Sequence, residues 1–246
     1  MSDKFGLGVV GTGAVAEIHA NAVNTLEEIE IVAACDLVEA RVKDYVDRHD
    51  ITSAYTDVDQ ILKDSRVRAV LVCTPPTSHC PIAEQAAAAG VHVMVEKPLA
   101  LKEVDLKSID QFFVNNVNST TPILLTGFNR RFSPLAKRIK KILIQRSNPM
   151  IINYRMNAGH IPMDHWIHSE EGGGRNLGEA CHVYDLFTFF TDSRLKKIQA
   201  FSLRPSTEHY SSSDNFIVNI LFKDGTLAHL TYTSLGSKSF PKEQSY

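Results

Sequence analysis

The chain has 246 residues, 43% hydrophobic and 22% charged, enough for one large globular domain or two ordinary ones. Its formal net charge of −2 gives no electrostatic case for a nucleic-acid or anionic-membrane partner. No apolar run approaches the ~20 residues of a membrane span, and Met1-Ser2-Asp3-Lys4 opens no leader pattern. Cys35, Cys73, Cys80 and Cys181 form no Cys-x-x-Cys pair, so a reducing, cytoplasmic setting is expected, with no metal and no disulfide framework.

In chain order, Phe5 to Val10 reads as a strand, followed by a glycine loop and a helix from Ala14 to Leu26. Ile29 to Cys35 is a second buried strand, and Val38 to His49 is amphipathic. Ala69 to Cys73 is a third strand, closed by Thr74-Pro75-Pro76, which continues neither strand nor helix. Pro81 to Ala89 is an alanine-rich helix stopped by Gly90. Val91 to Val95 is a strand, Val104 to Val117 a helix and Ile123 to Thr126 a short strand. Continuously apolar strands separated by helices predict a doubly wound parallel sheet covered on both faces.

The pattern then changes, which places a domain boundary at 122/123. Leu135 to Ile144 is helical, Met150 to Met156 strand-like, and Asn157 to Glu171 irregular and His-rich. Gly172-Gly173-Gly174 precedes a helix from Asn176 to Phe190. Lys197 to Leu203, Phe216 to Phe222 and Leu227 to Thr233 are strands, the last two joined by a Lys223-Asp224-Gly225 turn. An α+β domain with a mainly antiparallel sheet, covered on one face, is expected over 123–246. Tyr246 falls where a further strand begins, so this sheet is expected to be incomplete.

The chemistry-bearing residues gather at strand ends. In Gly11-Thr12-Gly13-Ala14-Val15-Ala16, Gly11 permits a tight turn and Gly13 lets a pyrophosphate approach the backbone through Ala14 and Val15. Ala16 lets the helix pack close to the strand. Asp36, ending the second strand, can accept both ribose hydroxyls and repels a 2′-phosphate, which favours NAD over NADP. Thr74 and Pro75 end the central strand, where ligands of open α/β sheets bind. His79 either touches cofactor or substrate or caps the following helix. Glu96-Lys97-Pro98 ends the next strand, with Lys97 partly desolvated and aimed into the site.

The glycine loop through Glu17-Ile18-His19, Cys73-Thr74-Pro75-Pro76-Thr77-Ser78-His79, Glu96-Lys97-Pro98 and Gly127-Phe128-Asn129-Arg130-Arg131-Phe132 occur in that order. As a set they resemble the glucose–fructose oxidoreductase / inositol dehydrogenase family (Gfo/Idh/MocA), over about residues 5 to 190. The resemblance implies a Rossmann domain, NAD(P)-dependent redox chemistry on sugars, nucleotide-sugars or cyclitols, and dimers or tetramers built on the second domain's sheet. It implies a cofactor role for Glu96, Lys97 and Arg131. The family's second domain carries a glycine run followed by Asp-x-x-x-His-x-x-Asp. Here His182 and Asp185 match, but Gly178 stands at the first Asp position, with Glu179 beside it. Glu179 and Asp185 each lie three residues from His182 on a helix, so either carboxylate could orient the imidazole. The stretch Asn157 to Trp166 resembles a subset tied to surface-polysaccharide and nucleotide-sugar metabolism, which makes His160, Asp164, His165 and Trp166 substrate-loop candidates.

The implied reaction is reversible oxidation of a secondary alcohol. His182 acts as general base and Lys97 stabilises the developing alkoxide, with Glu179 and Asp185 as catalytic partners. Lys97, His160, Trp166 and His182 are the substrate contacts. The alternative is a non-catalytic NAD(P)-binding sensor on the same fold, and the loss of the Asp at 178 is its best support.

Overall fold

The computed structural model describes residues 4–116, 121–207, 209–237 and 239–245. It divides into two units, Met1–Gly127 and Phe128–Tyr246.

The first unit is a six-stranded, all-parallel sheet. Its strands are β1 (Phe5–Val10), β2 (Ile29–Cys35), β3 (Ser53–Tyr55), β4 (Ala69–Val72), β5 (His92–Val95) and β6 (Leu124–Thr126), in the order β3-β2-β1-β4-β5-β6. That is the doubly wound order in which the chain reverses direction across the sheet between β1 and β4. Between the strands run α1 (Ala14–Val23), α2 (Glu39–Arg48), α3 (Val58–Leu62), α4 (His79–Ala88) and α5 (Glu103–Asn115). One core gathers Val10, Val70, Val72, Val93 and Val95 with Ala83 and Ala86 of α4. A second sets Val9 and Ala34 against Ala16, Ala20 and Tyr45. Two buried faces explain why these strands read as unbroken apolar runs.

β3 and α3 carry no sequence signal of their own. β3 is three residues long and exists through its ladder to Ala33–Cys35. α3 is a single short turn started by Asp57, whose carboxylate accepts from the Asp59 amide at 2.8 Å. Val117, the expected end of the helix from Val104, lies outside the described residues. The boundary expected at 122/123 precedes β6, but β6 pairs with Val93–Val95 and belongs to the first sheet. The two units therefore divide at Gly127/Phe128.

The second unit has β7 (Ile151–Asn157), β8 (Leu195–Ser202), β9 (Phe216–Phe222), β10 (Leu227–Thr233) and β11 (Glu243–Ser245), ordered β11-β7-β10-β9-β8. It also has α6 (Pro134–Leu143) and α7 (Cys181–Thr191). Ser133 caps α6 by accepting from the Ala136 amide (3.2 Å), with Pro134 at the first helical position. The sheet is antiparallel except that β7 and β10 run parallel. The chain between them contains α7, β8 and β9, long enough to return in the same direction. Phe216, Val218, Ile220 and Phe222 of β9 and Ala228, Leu230 and Tyr232 of β10 face one way, onto Val183, Leu186 and Phe187 of α7. Residues between them along β9 and β10 are exposed or half-buried, and every residue of β8 is exposed. A register shift interrupts the β8–β9 ladder between Leu195 and Lys197. The expected helix from Asn176 opens instead with a π-helical turn, Asn176–Ala180, and ends where Asp192 turns left-handed at φ 53°.

Leu230 is fully buried at the centre of this second core. Leu230→Ala is expected to destabilise the unit by about 2–5 kcal/mol. Urea unfolding followed by the fluorescence of Trp166, the only tryptophan, will show it as a lower transition midpoint.

Candidate functional site

The glycine loop leaves β1 at the sheet's crossover point. Gly11 has φ +87°, and a Cβ there would lie 2.9 Å from Cys73 C and Thr74 N. Its amide donates to Cys35 O at 2.8 Å, so the ends of β1, β2 and β4 meet at one residue without a side chain. A Cβ on Gly13 would meet nothing within 4 Å. Gly13 is also the N-cap of α1 and offers no side-chain acceptor to the helix's first amides. An open cradle at an uncapped helix N-terminus fits a pyrophosphate. Ala14 and Val15 are exposed beside it, and Ala16 is buried, its carbonyl accepting from Tyr45 OH at 3.1 Å.

Asp36 stands at the same edge, half-buried. Its Oδ2 accepts from the Thr12 amide (3.0 Å) and Thr12 Oγ1 (2.9 Å), and its Oδ1 from the Val38 amide (3.0 Å). Burial pushes its carboxyl up, but these three donors and the Arg41 charge outweigh it, and the group lies below its ordinary value. Asp36 is thus a fixed anion with an Oδ1 lone pair left for a ribose hydroxyl. Thr12, which orients it, is a site residue that the motif conceals as an unspecified position.

Thr74 is half-buried and Pro75 exposed after β4, with Ser78 Oγ donating to Thr74 Oγ1 (2.7 Å) and Pro75 O (2.8 Å). His79 is not where a ligand would touch it. It is 1% exposed, with Nδ1 2.7 Å from Pro98 O and Nε2 2.8 Å from Thr74 O. It ties the turn after β4 to the turn after β5, the place of a positioning residue rather than a cofactor contact. A neutral ring can donate to only one of its two carbonyl partners.

Lys97 is half-buried at the end of β5, and the bond to Pro98 is cis. The neighbouring Glu96 carboxylate faces His19 Nε2 of α1 (2.7 Å) and accepts from the Lys97 amide (3.2 Å). Burial raises its carboxyl, and His19 and Lys97 bring it below the ordinary value. Glu96 therefore joins the Lys97 turn to the glycine-loop helix. Burial pushes the Cys35 and Cys80 thiols up to about 11 and Cys73 to about 12, so none offers a nucleophilic thiolate near neutral pH.

In the second unit His182 is 8% exposed on α7, edge-on to Phe128 with ring centres 6.2 Å apart. Asp185 receives both arms of Arg131, Nε at 2.9 Å from Oδ2 and Nη2 on Oδ1, and Arg131 also lies over the Phe189 ring. Arg131, expected beside the cofactor, is the partner of Asp185. Glu179 accepts from Arg175 Nη2 (3.2 Å), Tyr232 OH and Lys242 Nζ. Burial raises its carboxyl, but these donors hold it down at about 2, so it carries no proton to exchange near neutrality. These three partners anchor Glu179 in the turn that leads into α7. A Cβ on Gly178 would sit 3.2 Å from Ile167 Cδ1, so an apolar side chain packs where the motif's first Asp would extend.

The substrate-loop candidates scatter. His160 stacks on His209 (4.5 Å, 20°) with Tyr210 edge-on. Trp166 is 57% exposed beside His165, whose Nδ1 accepts from the Ile167 amide. Asp164 is exposed, and His168, half-buried with its ring largely covered, lies 3.7 Å from Asp214. Arg175, Tyr232 and Lys242 went unread in the sequence. Only Tyr232 had a signal, its inward phase along β10.

Residues 5–118 match the model of the oxidoreductase family with an NAD-binding Rossmann fold. Myo-inositol 2-dehydrogenase of Thermotoga maritima is 28% identical over 228 residues, covering 90% of this chain and 66% of that protein. The crystal structure of scyllo-inositol dehydrogenase from Lactobacillus casei with NAD(H) and scyllo-inositol superposes with a TM-score of 0.81 at 22% identity, over 94% of this chain and 70% of that one. The WlbA dehydrogenase of Bordetella pertussis, solved with NADH and UDP-GlcNAcA, gives 0.82 at 18% identity, over 96% and 72%. The two structures speak for the fold alone. The chain spans about half to two-thirds of the length of the curated relatives it matches.

The two loop glycines are expected to separate folding from binding. Gly11→Ala strains a left-handed residue against backbone and will lower the melting temperature. Gly13→Ala will melt like the parent and lose NAD affinity at least about tenfold by calorimetry. Glu179, ordinarily near 4.5 and held at about 2, adds stability that is complete above pH 4.5 and is lost as pH falls toward 2. Glu179→Gln is expected to flatten the fall of unfolding free energy across that window in chemical denaturation.

Proposed function

We propose, from the match of residues 5–118 to the Gfo/Idh/MocA model of NAD-binding oxidoreductases, that this chain belongs to an NAD-dependent dehydrogenase of secondary alcohols on sugars, nucleotide-sugars or cyclitols. The observation that carries the reading is the grouping at one sheet edge of the open Gly13 cradle, the ionised Asp36 and Lys97. Gly11, Gly13, Ala14 and Val15 would hold the pyrophosphate, and Asp36 the adenosine ribose, with Thr74 and Pro75 toward the nicotinamide end. The bound nicotinamide supplies hydride exchange with the carbinol carbon.

Lys97 Nζ donates a hydrogen bond to the substrate hydroxyl oxygen and stabilises negative charge there as the proton leaves. His182 takes that proton on its ring and returns it in the reverse direction. Asp185 and Arg131 hold the next turn of α7, and His79 and Glu96 hold the Lys97 turn. His160 and Trp166 offer ring faces to a sugar. The setting is cytoplasmic, and copies associate through the outer face of the second sheet.

The test is the absorbance of reduced nicotinamide with NAD and a panel of cyclitols, sugars and nucleotide-sugars. Lys97→Ala and His182→Ala are each expected to cut kcat by at least about 100-fold while NAD affinity holds. NAD binding without turnover on any alcohol would favour the sensor reading, which Gly178 motivates.

A further inference from the structure

We infer that Arg175 is a positioning residue that couples the loop from Asn157 to Glu171 to the helix carrying His182. Arg175 is 2% exposed, one of the most deeply buried charges in the described residues. Its Nη1 donates to Gly159 O (2.6 Å) and its Nη2 to Ala158 O (2.9 Å), at the start of the loop. The same Nη2 reaches Glu179 (3.2 Å), in the π-helical turn that leads into α7. The guanidinium lies over the Tyr232 ring of β10, 5.3 Å from its centre. Nη1 is also 3.7 Å from Asp214, and the same carboxylate oxygen is 3.7 Å from His168 Nε2, at the far end of the loop.

One rigid fork therefore touches the loop's entry and the helix turn before His182, and through Asp214 it reaches the loop's other end. Burying a guanidinium is costly unless its charge is met, and here two carboxylates and a ring face the charge while two carbonyls and Glu179 accept from Nη1 and Nη2; Nε is buried without a hydrogen-bond partner among the described residues. These partners come from separate segments, so none can move without stranding a buried charge. A lysine carries the charge but presents its three donors from one nitrogen, where these acceptors are met by two nitrogens of a planar fork. Loop order and His182 placement thus stand or fall together. What that coupling is for rests on the dehydrogenase reading, since the loop carries the substrate contacts proposed above. The coupling itself does not.

Hydrogen exchange on the full chain tests it. Glu179→Gln loosens the helix arm while leaving Arg175 in place, and Arg175→Lys removes the fork. In both, amides of 157–161 and of 176–182 are expected to exchange faster together, by at least about tenfold, with NAD affinity unchanged. Val218→Ala, a cavity in the same core, is the control for general loosening. The inference fails if Glu179→Gln speeds 176–182 but leaves 157–161 at the parent rate, or if Val218→Ala gives the same pattern. Should Arg175→Lys not fold, the Glu179→Gln measurement decides alone. Coupled exchange in a protein that turns over no alcohol overturns the dehydrogenase reading and keeps Arg175 as the coupler, and turnover with uncoupled exchange does the reverse.

Discussion

Everything at the nucleotide edge of the first unit depends on one close approach. The backbone of Gly11 comes so near Cys73 and Thr74 that no Cβ fits between them. That contact brings the ends of β1 and β4 together where the sheet's connections diverge, which is where a crevice forms in doubly wound sheets. The turn releases α1 with Gly13 facing open space. It also sets Thr12 over Asp36, so the strand-end carboxylate is fixed by the same loop that receives the phosphates. Binding site and fold share one steric requirement.

The second unit solves a different problem. A helix carrying a buried histidine is held in place through carboxylates drawn largely out of water. It does so with two separate ion groups, Arg131 with Asp185 and Arg175 with Glu179, Tyr232 and Lys242. Asp185 takes both arms of one guanidinium, and Glu179 takes a guanidinium, an ammonium and a phenol, so each spends acceptor capacity on structure. The two acids nearest His182 in sequence are therefore explained by anchoring the helix.

The parallel sheet was legible because its strands are buried on both faces and read as apolar runs. Gly11, Gly13 and Asp36 were legible because their spacing follows from the shape of a dinucleotide turn. β3 and α3 were not, since three residues and one helical turn owe their form to neighbours rather than to pattern. The parallel pairing of β7 with β10 was hidden because alternation along a strand carries no direction. The partners of Glu179, Asp185 and His79 were hidden too. Helical spacing shows which side chains are near one another, but these three are paired across the fold with Lys242, Arg131 and the Pro98 carbonyl.

Strand β8 limits how a second chain can add to the edge of the second sheet. Among the described residues β8 is one edge of the sheet, with β11 at the other. Its ladder to β9 matches Leu195 with Phe222 and Lys197 with Leu221, which leaves Lys196 as the extra residue of a bulge. A strand from another chain adding there would meet a twisted edge and two adjacent ammonium groups. Such an edge resists fibrillar growth, although it presents Ile198 and Phe201 to water on an otherwise inviting ribbon.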